Sequence, residues 1–557
     1  MRYLKRALGI GAALVALVLP AAAADPDRAQ PYLKAARTFA DAVLEHGRDT
    51  YGPEPTPLFV DGLHAETLEP VRWKKDGQSW VLSNVASQQP LLRLLDGLTG
   101  VTGELRYRQA AEAAARCALE RLQTPNGLLY WGGHAAWDLA TEKPVGQYGF
   151  RVHEVKGHRP YYRLFWRVDA KRTARLMNMV WASHVLDWKR LDYNRHADTQ
   201  KEYPAGWDHP FAEDIEVPFP AKGGNLSFVN VTPPLLHSSV MAAVLGNDAG
   251  ALAWSRRLVK RWQQGRHPKT GLCGGQLSYR EQDRAKDALG HVHPAINEAK
   301  IVASYHQTCR YHRLPLAQMQ DGLALVAAGD EREAVGRDLI RGAAEDLAIY
   351  ARQCYDAETG TFVACMIDGT PLEWKKARSG YYVPESFRPR RADGFLLWGY
   401  ALAWRLTGKE AHWTMVRRIA RQRGLGDVGS PDGEGRKLDL DTRSRDWETI
   451  YTLLELAEGT GDGAFVHLAA RIGDNLVRTQ APTGLFPRGD RAWARTGDEV
   501  PLALTHLAAA LLGKRKAMPA PAYDSRFFHA EYHGDLEDHQ KKRRDKRTYD
   551  GRVFYGG

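Results

Sequence analysis

Three short polar strings in this chain carry residue types that can do chemistry together. They are Trp131-Gly132-Gly133-His134, then His153-Glu154-Val155-Lys156-Gly157-His158-Arg159-Pro160-Tyr161-Tyr162, then Asp192-Tyr193-Asn194-Arg195-His196. Singly each is ordinary. A histidine beside two glycines is usually a hydrogen-bonded loop residue, and a lone glutamate can simply start a helix. Jointly, two imidazoles and one carboxylate drawn from separate elements make a donor set for a borderline divalent transition metal. Such an ion acts as a Lewis acid on a carboxylate or carbonyl oxygen. Everything then depends on whether three distant segments meet.

The elements that must bring them together are helices. Apolar residues recur at helical spacing, as at Ala111, Ala114, Ala115, Ala118 and Leu119. One unit repeats: an apolar helix, a turn rich in Gly, Asp and Glu, then a second helix with Arg or Trp early in its course. It runs over residues 91–128 about the turn Thr102-Gly103-Glu104, and over 238–272 about Gly246-Asn247-Asp248. It recurs over 395–424 about Thr407-Gly408-Lys409-Glu410, and over 450–485 about a turn at 459–462. Glycine in each turn suits the left-handed ending of a helix. A helical hairpin buries its apolar stripe only against neighbours, so serial hairpins close a ring or extend a solenoid. Uneven spacing and long insertions favour the ring. The expected fold is all-α dominated, an α/α toroid of helical hairpins with inserted loops and at most small β arms. The three strings fall in loops or at helix ends. Residues 164–188 read as one long amphipathic helix, with Leu164, Phe165, Val168, Met179, Val180 and Trp188 toward the core and His184 as a packed core residue.

Composition narrows the setting. Arg2, Lys5 and Arg6 precede an apolar run over residues 8–19, and Ala22-Ala23-Ala24 follows before Asp25. That order predicts a signal peptide over residues 1–24, leaving the toroid over 25–512 and a basic tail over 513–557. The apolar run is short for a membrane span and no later stretch is apolar enough, so no stable span is expected after processing. Five cysteines in 557 residues give neither a zinc ribbon nor a dense disulfide framework. Cys354 and Cys365, across a hairpin, are a pair that an oxidising compartment could bridge. The net charge is +11, and Lys541-Lys542-Arg543-Arg544 in the tail contributes to it. In an exported protein this favours an anionic glycan or the cell envelope as partner over nucleic acid. The tail itself reads as a solvated charge run.

The three strings, at their intervals, resemble the pectate lyases of polysaccharide lyase family 2. This resemblance is clear over residues 129–285 and weaker to 406; Val155 and Gly157 depart from the family pattern, and the stretch between Arg280 and Arg284 is shorter. It implies an α/α barrel that cleaves polygalacturonate or a related uronic-acid glycan by β-elimination with a bound divalent metal, typically manganese. Carried across by position, His134, Glu154 and His196 match the metal ligands, Arg195 the catalytic base, and Arg284 an arginine on the substrate carboxylate. Lys156 and Lys300 stand as substrate-binding residues and as alternative bases, because a buried lysine loses its proton more readily than an arginine. The resemblance also favours the periplasm over full secretion.

Two other readings compete. A glycoside hydrolase on the same ring would use two carboxylates such as Asp138 and Asp198, without metal. A non-catalytic envelope protein would bind acidic glycan through its basic surface. Lys375-Lys376, Tyr381-Tyr382 and Arg388-Pro389-Arg390-Arg391 form a basic aromatic stretch that suits either an acidic-substrate groove or a solvated loop. Arg266, His267 and Lys269 lie in a recurring hairpin turn, where a structural role is expected.

Overall fold

A computed structural model describes residues 24–75, 78–155, 159–204, 206–222, 226–280, 297–304, 308–373, 386–489 and 492–521. Residues 1–23 of the expected signal peptide, Lys156, Arg284, the Lys375-to-Tyr382 stretch and the basic tail run lie outside the described residues.

Among the described residues fourteen α-helices alternate between two concentric layers. The inner layer is α2 (Gln89–Thr102), α4 (Tyr162–Val168), α6 (Thr232–Gly246), α8 (Arg310–Ala328), α10 (Gly394–Thr407), α12 (Trp447–Thr460) and α14 (Glu499–Leu511). The outer layer is α1 (Pro26–His46), α3 (Leu105–Arg121), α5 (Ala170–His184), α7 (Ala249–Gln264), α9 (Asp330–Cys354), α11 (Glu410–Gln422) and α13 (Ala464–Val477). Burial separates the layers. Inner α10 is buried on all sides from Gly394 to Trp404, whereas outer α11 buries only His412, Trp413, Met415, Val416, Ile419 and Ala420. That second set is one helical stripe, and an all-round apolar helix belongs inside.

Neighbouring inner helices pack side by side from α6 through α14 to α2. Between α2 and α4 the ring is completed by the chain before α4. Arg93 donates to the Arg159 carbonyl at 3.0 Å, and the Tyr161 amide donates to Gln89 Oε1 at 2.6 Å. The first helix closes the circle on the last pair. The Asp25 amide donates to the Leu511 carbonyl at 2.8 Å, and the Tyr32 hydroxyl to the Ala470 carbonyl at 2.7 Å.

Because the layers alternate, the connections sort to opposite ends of the ring. At one end they are one to three residues long, and four of them open on a left-handed residue: Gly103 (φ 82°), Asn247 (φ 54°), Gly408 (φ 66°) and Gly461 (φ 75°). At the other end lie all the strands of the described residues. Those used below are β1 (Leu82–Ser83), β2 (Ala135–Asp138), β3 (Lys143–Phe150), β4 (Val152–Glu154), β5 (Val185–Asp187), β6 (Asp192–Tyr193) and β7 (His196–Asp198). β1, β2 and β3 form one antiparallel sheet; β4 pairs with β7, and β5 with β6.

The structure corrects several local expectations. The single helix over 164–188 is two helices and a strand. Asp169 leaves the helical conformation (φ −153°, ψ 96°) and its carboxylate accepts from the Arg172 amide at 2.9 Å, capping α5. The chain must reverse there from inner to outer layer, and a capping residue ends one helix while starting the next. Val168 and Trp188 are consequently only half-buried against the core. Glu154 and His196 sit on strands, not in loops. The Cys354 and Cys365 thiols are buried 3.5 Å apart and unbridged. Packing on the ring also continues past residue 512: Lys514 Nζ donates to the Val101 carbonyl at 2.8 Å, and Met518 packs on the core. No helix among the described residues is long and apolar enough to cross a membrane.

Candidate metal centre

The site is built on the β4/β7 ladder, where Glu154 is the register partner of His196 and Ala197 that of His153. Side chains alternate across a strand pair, so Glu154 and His196 share one face and His153 points to the other. His134 comes in from the segment that precedes β2. Gly132 forms a parallel bridge with Glu154, and a Cβ on it would lie 2.7 Å from the Glu154 carbonyl oxygen at φ 103°. Only glycine allows that approach. Asn84 locks the glycine from the far side: its Nδ2 donates to the Gly132 carbonyl at 2.8 Å and its Oδ1 accepts from the Gly132 amide at 3.0 Å. Asp61 in turn accepts from the Asn84 amide at 2.6 Å; burial pushes the Asp61 carboxyl up to about 7, against the Asn84, Ser87 and Gln88 donors that pull it down.

These supports bring three ligand-type atoms together. His134 Nε2 lies 3.2 Å from His196 Nε2 and 3.9 Å from Glu154 Oε1, and His196 Nε2 lies 3.5 Å from the same oxygen. The donor atoms of the trio fall within 4.8 Å of one another. Nitrogen and oxygen ligands held at about 2.1 Å by one ion stand about 3.0–3.4 Å apart at octahedral or tetrahedral angles. The two imidazole nitrogens fit that spacing, the carboxylate lies slightly wider, and the donor set suits a divalent transition ion. Arg195 adjoins the trio, its Nε donating to His196 Nε2 at 3.2 Å and lying 3.4 Å from Glu154 Oε1. Exposure is graded: the Glu154 side chain is 0% exposed, His134 6%, Arg195 25% and His196 34%. The open side is therefore the Arg195–His196 side.

Of the remaining candidates, Lys156 and Arg284 lie outside the described residues. Lys300 ends a short 3-10 turn (Glu298–Lys300), its carbonyl accepting from the Ile367 amide at 3.0 Å, and no hydrogen bond or ion pair among the described residues joins it to the trio. Asp138 is fully buried and spent on structure: Oδ1 accepts from the Val81 amide at 2.9 Å and Oδ2 from the Thr141 hydroxyl at 2.6 Å. Asp198 pairs with Arg151 at 2.8 Å; burial pushes its carboxyl up, but the Gln200 amide and Arg151 outweigh that and hold it below the usual range. Arg266 pairs with Glu345 and Asp346 on α9, the structural role expected of it. Sequence reasoning missed Asn84, which carries no signal in its surroundings, and took His184 as filler. His184 is indeed fully buried, but both its ring nitrogens are hydrogen-bonded.

A family model described as periplasmic pectate lyase matches residues 56–531. The chain belongs to that family. It is accordingly a lyase acting on polysaccharide, with the exported or periplasmic location the family description carries. A curated pectate disaccharide-lyase of Dickeya dadantii (strain 3937) is 27% identical over 535 residues, covering 90% of this lyase and 93% of the relative. Among solved structures, a glycoside hydrolase family 76 mannosidase from Bacteroides thetaiotaomicron aligns with a TM-score of 0.39 at 11% identity, over 87% of this lyase and 99% of that chain. A cellobiose 2-epimerase from Bacillus thermoamylovorans aligns at 0.38 and 11%, over 86% and 99%.

Proposed function

We propose that this lyase cleaves polygalacturonate or a closely related uronic-acid glycan by β-elimination at a divalent-metal centre held by His134, Glu154 and His196. Manganese is the metal suggested by the family resemblance. The observation that carries the reading is the convergence of two imidazoles and one buried carboxylate beside Arg195, in a chain of the pectate lyase family.

The reaction removes the proton on the carbon next to the uronate carboxylate and breaks the bond to the glycosidic oxygen. That proton is feebly acidic while its neighbour is an anion. A divalent cation held by His134, Glu154 and His196 would supply Lewis-acid neutralisation of that carboxylate and of the negative charge that develops beside it. The chain's own residues do the rest. Glu154, shielded from water, fixes one negative charge at the floor of the site, and the two imidazoles leave the His196 side open to substrate oxygens. Arg195 is assigned as the base; its Nε–H, 3.2 Å from His196 Nε2 here, would give up that contact when the nitrogen serves as a ligand. An arginine gives up its proton reluctantly. The assignment to Arg195 therefore rests on the family resemblance and on its place beside the trio, toward the open side. Arg284 is assigned to the substrate carboxylate, where a guanidinium makes a bidentate, charge-assisted clamp. Lys156 and Lys300 are assigned as further cationic contacts for the polyanion.

The hydrolase alternative is poorly supported, since Asp138 is buried under two structural hydrogen bonds. The deciding experiment follows ultraviolet absorbance on polygalacturonate before chelation, after it, and after manganese is restored. Unsaturated uronides should appear, vanish with chelator and return with metal. New reducing ends without the chromophore would mean hydrolysis, and full activity after thorough metal removal would eliminate the proposed centre.

A further inference from the structure

Beneath the trio, on the face of the β4/β7 ladder that points into the core, runs a chain of hydrogen bonds that the chemistry above does not use. Trp131 Nε1 donates to His153 Nε2 at 2.9 Å, His153 Nδ1 lies 2.9 Å from His184 Nε2, and His184 Nδ1 lies 2.8 Å from the Asn194 carbonyl oxygen. Trp131, His153 and His184 are 0% exposed. The two ends fix the polarity. An indole N–H can only donate and a carbonyl oxygen can only accept. His153 must therefore accept at Nε2 and carry its proton on Nδ1, and His184 must do the same. One direction satisfies all three bonds; the reverse satisfies none at the ends.

The members of this chain are spaced through the sequence so as to touch every ligand-bearing segment. Trp131 is three residues before His134, His153 is next to Glu154, and Asn194 directly precedes Arg195 and His196. His184, the last residue of α5, is the hub, and its own carbonyl accepts from the Asn194 amide at 2.8 Å, so Asn194 is held by two bonds. The same ladder is secured one step along, where the Val155 amide donates to the Arg195 carbonyl at 2.9 Å.

We infer that Trp131, His153 and His184 are positioning residues, a one-directional relay that clamps the three ligand segments to one helix end and so sets the spacing of His134, Glu154 and His196. This rests on the metal reading for its consequence, though not for its geometry. Groups behind a ligand shell commonly hold 10- to 100-fold of metal affinity. The relay does this through the backbone of three segments at once, and apolar replacements of similar size would leave buried polar partners unmatched.

The test compares His184→Leu with His184→Gln in the full chain. A glutamine amide offers an oxygen to His153 and an N–H to Asn194, preserving the direction; leucine fills the space without either. Two measurements are made. Hydrogen exchange on metal-free protein reads the ladder amides of residues 152–155 and 195–198, which should lose protection in the leucine variant and keep it in the glutamine variant. Titration with Mn2+, followed by the free-ion electron paramagnetic resonance signal, should show affinity about 10- to 100-fold weaker for leucine and within about 3-fold of the parent for glutamine. Unchanged exchange and affinity in the leucine variant overturn the inference. Equal losses in both variants, with native circular dichroism, overturn it too, since shape alone would then matter. Should the leucine variant fail to fold, Trp131→Phe removes only the first donor and keeps the ring; native exchange and affinity there overturn the relay. A parent protein that binds no Mn2+ sinks the metal reading instead, and exchange alone then judges the relay.

Discussion

The two ends of the ring use the same helices for opposite purposes. At the closed end, turns of one to three residues reverse the chain, and left-handed glycines such as Gly103 and Gly408 have open space around the missing Cβ. At the other end the connections are long, carry all the described strands, and hold Gly132 with its missing Cβ against the Glu154 backbone. A glycine at the first end serves the turn. A glycine at the second serves a contact between distant segments. Stability and chemistry are thus separated along the ring axis, and substitutions at the two ends should report different quantities.

The largest effect is expected at the ligand set. His196→Ala should lower lyase activity by roughly three orders of magnitude or more, several kcal/mol of charge stabilisation being lost, and should abolish stoichiometric manganese by elemental analysis. Its helical circular dichroism should match the parent. A variant that retains its metal would show the ligand assignment to be wrong. Next comes Gly132→Ala, whose Cβ would lie 2.7 Å from the Glu154 carbonyl oxygen. Manganese affinity should weaken roughly 10- to 100-fold, with a melting temperature clearly below the parent's. Equal metal affinity would mean that the Gly132–Glu154 approach does not position the site.

A third effect concerns the support under Gly132. Asp61 has its carboxyl raised to about 7 in the fold from an ordinary value of 3.8. The fold then favours the protonated acid, so this group's contribution is greatest at low pH and is lost as pH rises from about 4 to about 7, remaining flat above. The change across that window should be on the order of a few kcal/mol. Denaturant unfolding of Asp61→Asn between those pH values should show a shallower fall than the parent, and identical slopes would assign the dependence elsewhere. The smallest effect is expected at the closed end. Gly408→Ala, at φ 66° with nothing within 4 Å of the new Cβ, should cost about 1–2 kcal/mol in the same unfolding experiment while leaving activity on polygalacturonate unchanged.

Closed-end architecture was the more legible of the two. The turns expected at Gly103, Asn247, Gly408 and 459–462 are where α2, α6, α10 and α12 end, because local chemistry, a Cβ-free or polar residue able to turn left-handed, decides a helix stop. The arms were less legible. Apart from β3, the strands are two to four residues long and carry too little periodicity to announce themselves, and the β4/β7 pairing joins positions some forty residues apart. Asp169 shows a third case: apolar spacing continued through it, yet its capping carboxylate and the need to change layers prevailed. Within the site, the trio was readable as a set of types and from the family likeness, whereas its supports were not. His184 looked like core because it is core; that both its nitrogens are engaged depends on partners that sequence proximity does not reveal.

Closing the circle with α1 against α14 and α13 has a consequence for how the chain is made. The partners of Tyr32 and Asp25 lie more than four hundred residues downstream, at Ala470 and Leu511. Until the ribosome has delivered those residues, the buried face of α1, from Ala29 to Val43, has nowhere to go. Contacts of such long range reward the chain only after a large entropic outlay, so final closure must come late in folding. For a polypeptide bound for export this timing is helpful: a ring that cannot shut during synthesis stays threadable.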